Sequence, residues 1–300
     1  MSGPPRPWAA LEEAAATDLG RGSAALSGAL AGDLERAVRS LAGHAAPRLV
    51  VLTGFAIPDG AGGWHAETDG PLGAVQLALA ARALGWDVRV LTDEPCAAPL
   101  AAVLPPDVPL DVARTGEPHD CPDHVDRYRT AGTTHLVSIE RVGPSADGVP
   151  RNMRGESIRA ATACLEHVVT GGDWEVVAIG DGGNEIGMGR APAGLVDRVV
   201  PRGATVRCVV GADALVVGGT SNWGTAALVA GLALETGRSD LLDLLAAGAG
   251  AQLLRRLVAA GAVDGVTRRP EETVDGLSWP DYQDVVDEIA GIAAGSGAQP

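Results

Sequence analysis

A chain of 300 residues, 46% hydrophobic, with 38 acidic against 23 basic side chains and a formal charge of −15, has apolar material for one large α/β domain. Its field opposes nucleic-acid phosphates and anionic membranes, so the expected partner is a small molecule. The sequence contains no lysine, so arginine supplies all the fixed positive side-chain charge, which excludes a lysine Schiff base to pyridoxal phosphate and the lysine of a Walker-type phosphate loop. The cysteines Cys96, Cys121, Cys164 and Cys208 form no C-x-x-C pair. That argues against a zinc knuckle or disulfide framework and, with no hydrophobic signal core behind Met1, points to a reducing cytoplasm.

Residues 1–20 are expected to be poorly ordered and residues 21–295 to form a single domain. A helical period over residues 23–41 precedes an apolar strand at 48–53. Gly54 ends that strand, residues 55–63 read as a flexible loop, and Pro71 stands at the first turn of a helix running to residue 84. The next strand covers 88–91, with Pro95 opening a short helix; between 104 and 123 prolines and acidic residues blur the pattern. A strand at 134–139, a polar loop at 140–155, an amphipathic helix at 156–169 and a strand at 175–179 follow. Residues 207–210 and 214–217 are further strand candidates, 261–268 a late one, and 246–251 fits a surface turn. Helices are predicted at 225–234, 251–260 and 281–292. This alternation predicts a mostly parallel sheet flanked by helices, a three-layer Rossmann-like α/β sandwich. The G-x-G-x-x-G fingerprint is absent, so NAD is not expected.

Two glycine-braced acidic segments stand out, Glu67-Thr68-Asp69-Gly70-Pro71-Leu72-Gly73 and Gly180-Asp181-Gly182-Gly183-Asn184-Glu185-Ile186-Gly187. Each follows an apolar strand candidate, where an α/β fold keeps its chemistry. Glu67, Asp69, Asp181, Asn184 and Glu185 could meet above two strand ends and hold a hard divalent cation. Asp181 leads as a ligand, with Asn184 and Glu185 completing the shell or orienting water. The alternative is an Asx turn with a helix cap, and for Glu67 and Asp69 a solvated helix entrance capped by Thr68. Close carboxylates retain a proton unless a cation offsets their repulsion, which favours the metal reading.

His65, approached by Gly62-Gly63-Trp64, could be a base, a weak ligand or only a turn residue. Glu140 and Arg141 leave a strand end, and Asp147, Asn152 and Arg154 occupy the loop beyond. An arginine there could fork onto a substrate carboxylate while an acid orients it or takes a proton; loop salt bridges are the plain alternative. Ser221 or Asn222 could bind a substrate oxygen, Ser221 could instead cap a helix, and Trp223 suits a pocket wall or a core plug. No G-x-S-x-G elbow supports a serine nucleophile.

Thr53-Gly54-Phe55, the Glu67–Gly73 segment, Ser138-Ile139-Glu140-Arg141, Asn152-Met153-Arg154-Gly155, the Gly180–Gly189 segment and Ser221-Asn222-Trp223-Gly224 occur in order. Through them the chain resembles the D-glutamate cyclase family over residues 48–292. The resemblance implies one catalytic α/β domain that converts D-glutamate to 5-oxo-D-proline with loss of water. It also implies a divalent ion, manganese first and magnesium or calcium as alternatives, with ligands among Glu67, Asp69, Asp181 and Glu185. On this reading His65, Glu140 and Glu185 serve proton transfer. Thr68, Arg141, Asn152, Arg154, Ser221 and Asn222 face a small acidic amino acid, and Asn184 and Asp147 stand behind the ligands. The N-terminal domain of larger animal relatives is expected to be absent, and a homodimer is allowed. The competing readings are a metal-dependent hydrolase of a small phosphorylated or amide substrate and a noncatalytic amino-acid-binding module.

Overall fold

The structure, a computed structural model, describes residues 7–116 and 120–297. Its strands in chain order are β1 Arg48–Thr53, β2 Ala56–Pro58, β3 Trp64–Ala66, β4 Asp87–Asp93, β5 Leu110–Ala113, β6 His135–Ile139, β7 Glu175–Gly180, β8 Ala214–Val217, β9 Thr273–Val274 and β10 Leu277–Ser278. Six of them form a parallel sheet in the order β5-β4-β1-β6-β7-β8. Val51 of β1 stands opposite Val90 of β4 and Val137 of β6.

The two-residue period of the strands divides the core. Leu49, Val51, Val137, Ile139, Val177, Ile179 and Val216 pack under one helical layer, which contains Pro71–Ala83, Ser221–Thr236 and Trp279–Gly297. Val50, Leu52, Leu136, Val176, Ala178 and Leu215 pack under the other, with Cys121–Thr130 and Ala193–Val199. Burial on both faces is why these strands read as continuous apolar runs, and it makes the chain a three-layer α/β sandwich. All six strands point the same way, so the loops after Thr53, Ile139, Gly180 and Val217 converge at one edge. Among the described residues no helix is long and apolar enough to cross a membrane.

Several local expectations are corrected. Residues 1–6 lie outside the described part, but residues 8–15, expected to be poorly ordered, form a helix with Trp8 and Leu11 buried in the core. Gly231 makes the room, since a Cβ there would stand 3.0 Å from the Trp8 ring. The helix read at 23–41 is two, Ser23–Ala29 and Asp33–Gly43, parted at Gly32 with φ +92°. Glu12 accepts the amides of Gly32 and Leu34 and so ties the N-terminal helix to that break. The loop at 55–63 contains most of the β2–β3 hairpin. Residues 207–210 form no strand, residues 261–268 contribute only one bridge from Val263 to Glu67, and the turn at 246–251 is largely the start of the helix Ala247–Ala259. The helix read at 156–169 is a 3-10 turn, Arg159–Ala161, and a short helix, Glu166–Thr170. Tertiary hydrogen bonds break it: Arg141 Nη2 donates to the Ala163 carbonyl and the Ala163 amide donates to Asp93.

Candidate functional site

The Glu67–Gly73 segment is held from three sides. The Glu67 amide donates to the Phe55 carbonyl and the Thr68 amide to the Val263 carbonyl, while Thr68 Oγ1 donates to the Thr273 carbonyl. Gly70, at φ +87°, turns the chain into the helix Pro71–Ala83; a Cβ there would meet Glu140 Cβ at 2.6 Å. Asp69 accepts the amides of Ser221 and Asn222, at the start of the helix Ser221–Thr236. In return Asn222 Oδ1 accepts the amides of Gly70 and Gly73.

Beside them Glu140 leaves β6 with φ +43°, a left-handed conformation uncommon for a side chain of this kind. Its Oε2 accepts the Ser221 hydroxyl at 2.6 Å. The loop after β7 closes on itself, because Glu185 Oε1 accepts the amides of Asp181 and Gly182. Asn184 Nδ2 donates to the Arg151 carbonyl and fixes the loop to the neighbouring turn.

Two elements that the sequence reading passed over complete the site. Asp18 accepts the amides of Gly20, Arg21 and Gly22, and the turn so made sends Arg21 inward to Asp181 at 3.2 Å and Asp275 at 2.5 Å. Asp275 and Gly276, at φ +53° and +79°, are the two-residue turn between β9 and β10. An Asp-Gly pair between short apolar runs is a hairpin signal in any sequence. Arg21 carries no comparable local mark.

These groups lie around a cavity of ≈ 390 Å³ lined by Glu67, Glu140, Asp181 and Asp275 together with Arg21. Asn152, Asn184, the half-buried Arg268 and the exposed Arg154 also line it. Asn152 Oδ1 accepts the amides of Arg154 and Glu156, which sets the turn carrying Arg154. One oxygen from each of Asp69, Asp181 and Asp275 can lie within 4.8 Å of the others, and so can one from each of Glu140, Asp181 and Glu185.

Burial raises the carboxyls of Glu67, Glu140 and Asp181 well above the usual range, with neighbouring carboxylates adding to the effect and Arg21 opposing it at Glu67 and Asp181. Burial also pushes Asp69 up to about 7, against the pull of the Asn222 and Ser221 amides. Such a cluster stays ionised only beside added positive charge. Glu67 Oε1, Asp181 Oδ2 and Glu185 Oε2 are buried without a hydrogen-bond partner. Unsatisfied, mutually repelling oxygens gathered at one place are the donor set of a hard divalent cation.

The structure thus brings together Glu67, Asp69, Asp181, Glu185, Glu140 and Asn184, with Asn152 and Arg154 on the same cavity. Other expected site residues are engaged elsewhere. Arg141 is 1% exposed and spent on Asp93, at 2.6 Å, and on the Gly54 and Ala163 carbonyls, so it offers no fork to a ligand. Thr68, Ser221 and Asn222 hold backbone and carboxylates in place rather than facing the cavity. The helix cap is Thr220, whose Oγ1 accepts the Trp223 amide, and Trp223 is a core plug stacked on Tyr282. His65 is half-buried on β3, opposite Ile57, and does not line the cavity. Asp147 pairs with Arg151 at the surface, and reaches the site only through the Arg151 carbonyl that Asn184 uses.

A family model described as D-glutamate cyclase-like, C-terminal, matches residues 11–290. The human protein D-glutamate cyclase, mitochondrial, is 31% identical over 174 residues, which cover 53% of this chain and 28% of that protein. The matched stretch is thus under a third of the curated relative's length.

Proposed function

This chain belongs to the D-glutamate cyclase-like family, and from that premise we propose that it closes D-glutamate into 5-oxo-D-proline with loss of water. Asp181, Glu185 and Glu140 would hold a divalent ion, manganese or a similar hard cation, by the oxygens that converge there. When bound, that ion would supply Lewis acidity to the distal carboxyl group of glutamate. The protein's own groups do the rest.

Arg154, presented by the Asn152 turn, would fork onto the α-carboxylate and fix the stereocentre relative to the reacting carbon. Holding glutamate by both ends brings the amine to the distal carboxyl carbon, where effective concentration substitutes for collision. Closure needs two protons to leave the nitrogen and one carboxylate oxygen to depart with both of them as water. Glu67, buried on the cavity with Oε1 free and its proton affinity raised by burial, would take each proton and return it to the departing oxygen. His65 has no such position.

The observation that carries this reading is the convergence of unpartnered carboxylate oxygens below one arginine-rimmed cavity in a chain of this family. Chiral chromatography of reactions containing D-glutamate, L-glutamate or simple phosphate esters, with Mn²⁺ or chelator, tests it. Metal-dependent 5-oxo-D-proline from the D isomer is expected, and a folded Asp181→Asn protein should form none. Phosphate release, or ligand-dependent stabilisation with no product under any metal, would replace the cyclase reading with a hydrolase or a binding module.

A further inference from the structure

The carboxylates of the site fall into two triads that share Asp181, namely Asp69–Asp181–Asp275 and Glu140–Asp181–Glu185. A carboxylate shared in this way is what a two-ion centre uses as its bridge, with ions roughly 4 Å apart. The triads differ, however, in what they already hold. In the first, Arg21 Nη1 stands 3.2 Å from Asp181 Oδ1, while its Nη2 stands 2.5 Å from Asp275 Oδ2 and 3.3 Å from the Gly219 carbonyl. Both oxygens of Asp69 are occupied by the Ser221 and Asn222 amides. In the second, Asp181 Oδ2 and Glu185 Oε2 are buried with no partner.

We infer that Arg21 is a built-in second cation: its guanidinium fills the Asp69–Asp181–Asp275 triad, so the site takes a single divalent ion, at Glu140–Asp181–Glu185. The side chain is 19% exposed, and its turn is preset by three amides on Asp18. A guanidinium stays charged at any working pH, and its planar fork satisfies two carboxylates at once, which a mobile ion would have to be recruited to do. By occupying Asp181 Oδ1, Arg21 leaves Oδ2 for the ion. It is thus a positioning residue for the metal, and the segment before residue 22 is part of the site.

The inference rests on the metal part of the proposed function and not on the substrate. The probe is Mn²⁺ alone, counted by equilibrium dialysis and by electron paramagnetic resonance on the full chain. Wild type should bind one ion per chain with an isolated-ion spectrum. Arg21→Met, neutral and similar in length, should bind two and show the exchange-broadened spectrum of neighbouring Mn²⁺ ions, whereas Arg21→Lys should stay at one. Two ions in the wild type, or one ion in Arg21→Met, would overturn the assignment. If Arg21→Met fails to fold, Asp275→Asn decides, because a carboxylate that serves only Arg21 can be neutralised with the count still one, and a count of zero would make Asp275 a ligand. No Mn²⁺ uptake by wild type would sink the metal reading together with this one. One bound ion without turnover of D-glutamate would sink the substrate reading alone.

Discussion

Asp69 and Asn222 bind the backbone on each other's side of the site: Asp69 accepts the Ser221 and Asn222 amides at 2.8 and 2.9 Å, and Asn222 accepts the Gly70 and Gly73 amides at 3.0 and 2.8 Å. Both residues are buried. The pair locks the Glu67–Gly73 segment to the start of the Ser221–Thr236 helix, and Ser221, which also donates to Glu140, ties both to the end of β6. Asn222→Ala should therefore cost about 1–3 kcal/mol for each of the two amides it strands and weaken Mn²⁺ binding as well. Urea denaturation and metal titration of the same variant would check both effects. Stability losses for Asp69→Asn and Asn222→Ala that simply add would show the two sets of bonds to be independent.

Asp93 and Arg141 form an ion pair with both side chains 1% exposed. Removing one partner leaves an uncompensated buried charge, so Asp93→Ala should lose about 3–5 kcal/mol by denaturant unfolding. A near-neutral result would mean that the Arg141 charge has another outlet, reopening a ligand role for it.

Arg154 should behave in the opposite way. It is exposed at the cavity, and Arg154→Ala should raise KM for D-glutamate about tenfold or more while stability stays within about 0.5 kcal/mol. An unchanged KM would remove Arg154 from the substrate site.

Metal removal should be felt most at high pH. Glu67, Asp69, Glu140 and Asp181 have folded-state proton affinities above their unfolded ones, Asp69 at about 7 against 3.8, so the ion-free folded chain holds protons that the unfolded chain has lost. Its stability then falls as pH rises from about 4 through 7. His124 and His135, both lowered by burial, act in the other sense: their contribution is complete above about 6.5 and is lost as pH falls below it. They are the same with and without metal, so the difference in Tm between Mn²⁺ and chelator isolates the carboxylates. That difference should be larger at pH 8 than at pH 5. A gap that narrows on going from pH 5 to pH 8 would contradict the cluster's role as a cation site.

What the chain announces locally is considerable. The runs at 48–53, 135–139, 175–180 and 214–217 are apolar because the parallel sheet is buried on both faces, and that alone suffices to find β1, β6, β7 and β8. The acidic glycine segments mark the strand ends, since tight turns need glycine and carboxylates at such a place need a reason. Glu67, Asp69, Asp181, Glu185 and Glu140 were accordingly legible as candidates, and the family motifs put them in order.

Which groups meet, and which are used up, only the tertiary structure decided. Arg21 reaches Asp181 across 160 residues of sequence and Asp275 across 254, distances over which no periodicity or spacing carries information. Arg141 follows Glu140 directly, yet the left-handed turn at Glu140 is accompanied by opposite fates, one side chain on the cavity and the other in the Asp93 pair. The helix expected at 156–169 failed for the same reason: its amphipathic pattern was real, but hydrogen bonds from that buried pair outweighed a helix propensity worth only tenths of a kcal/mol per residue. Residue types declare what a side chain is able to do, and packing determines which partner it finds first.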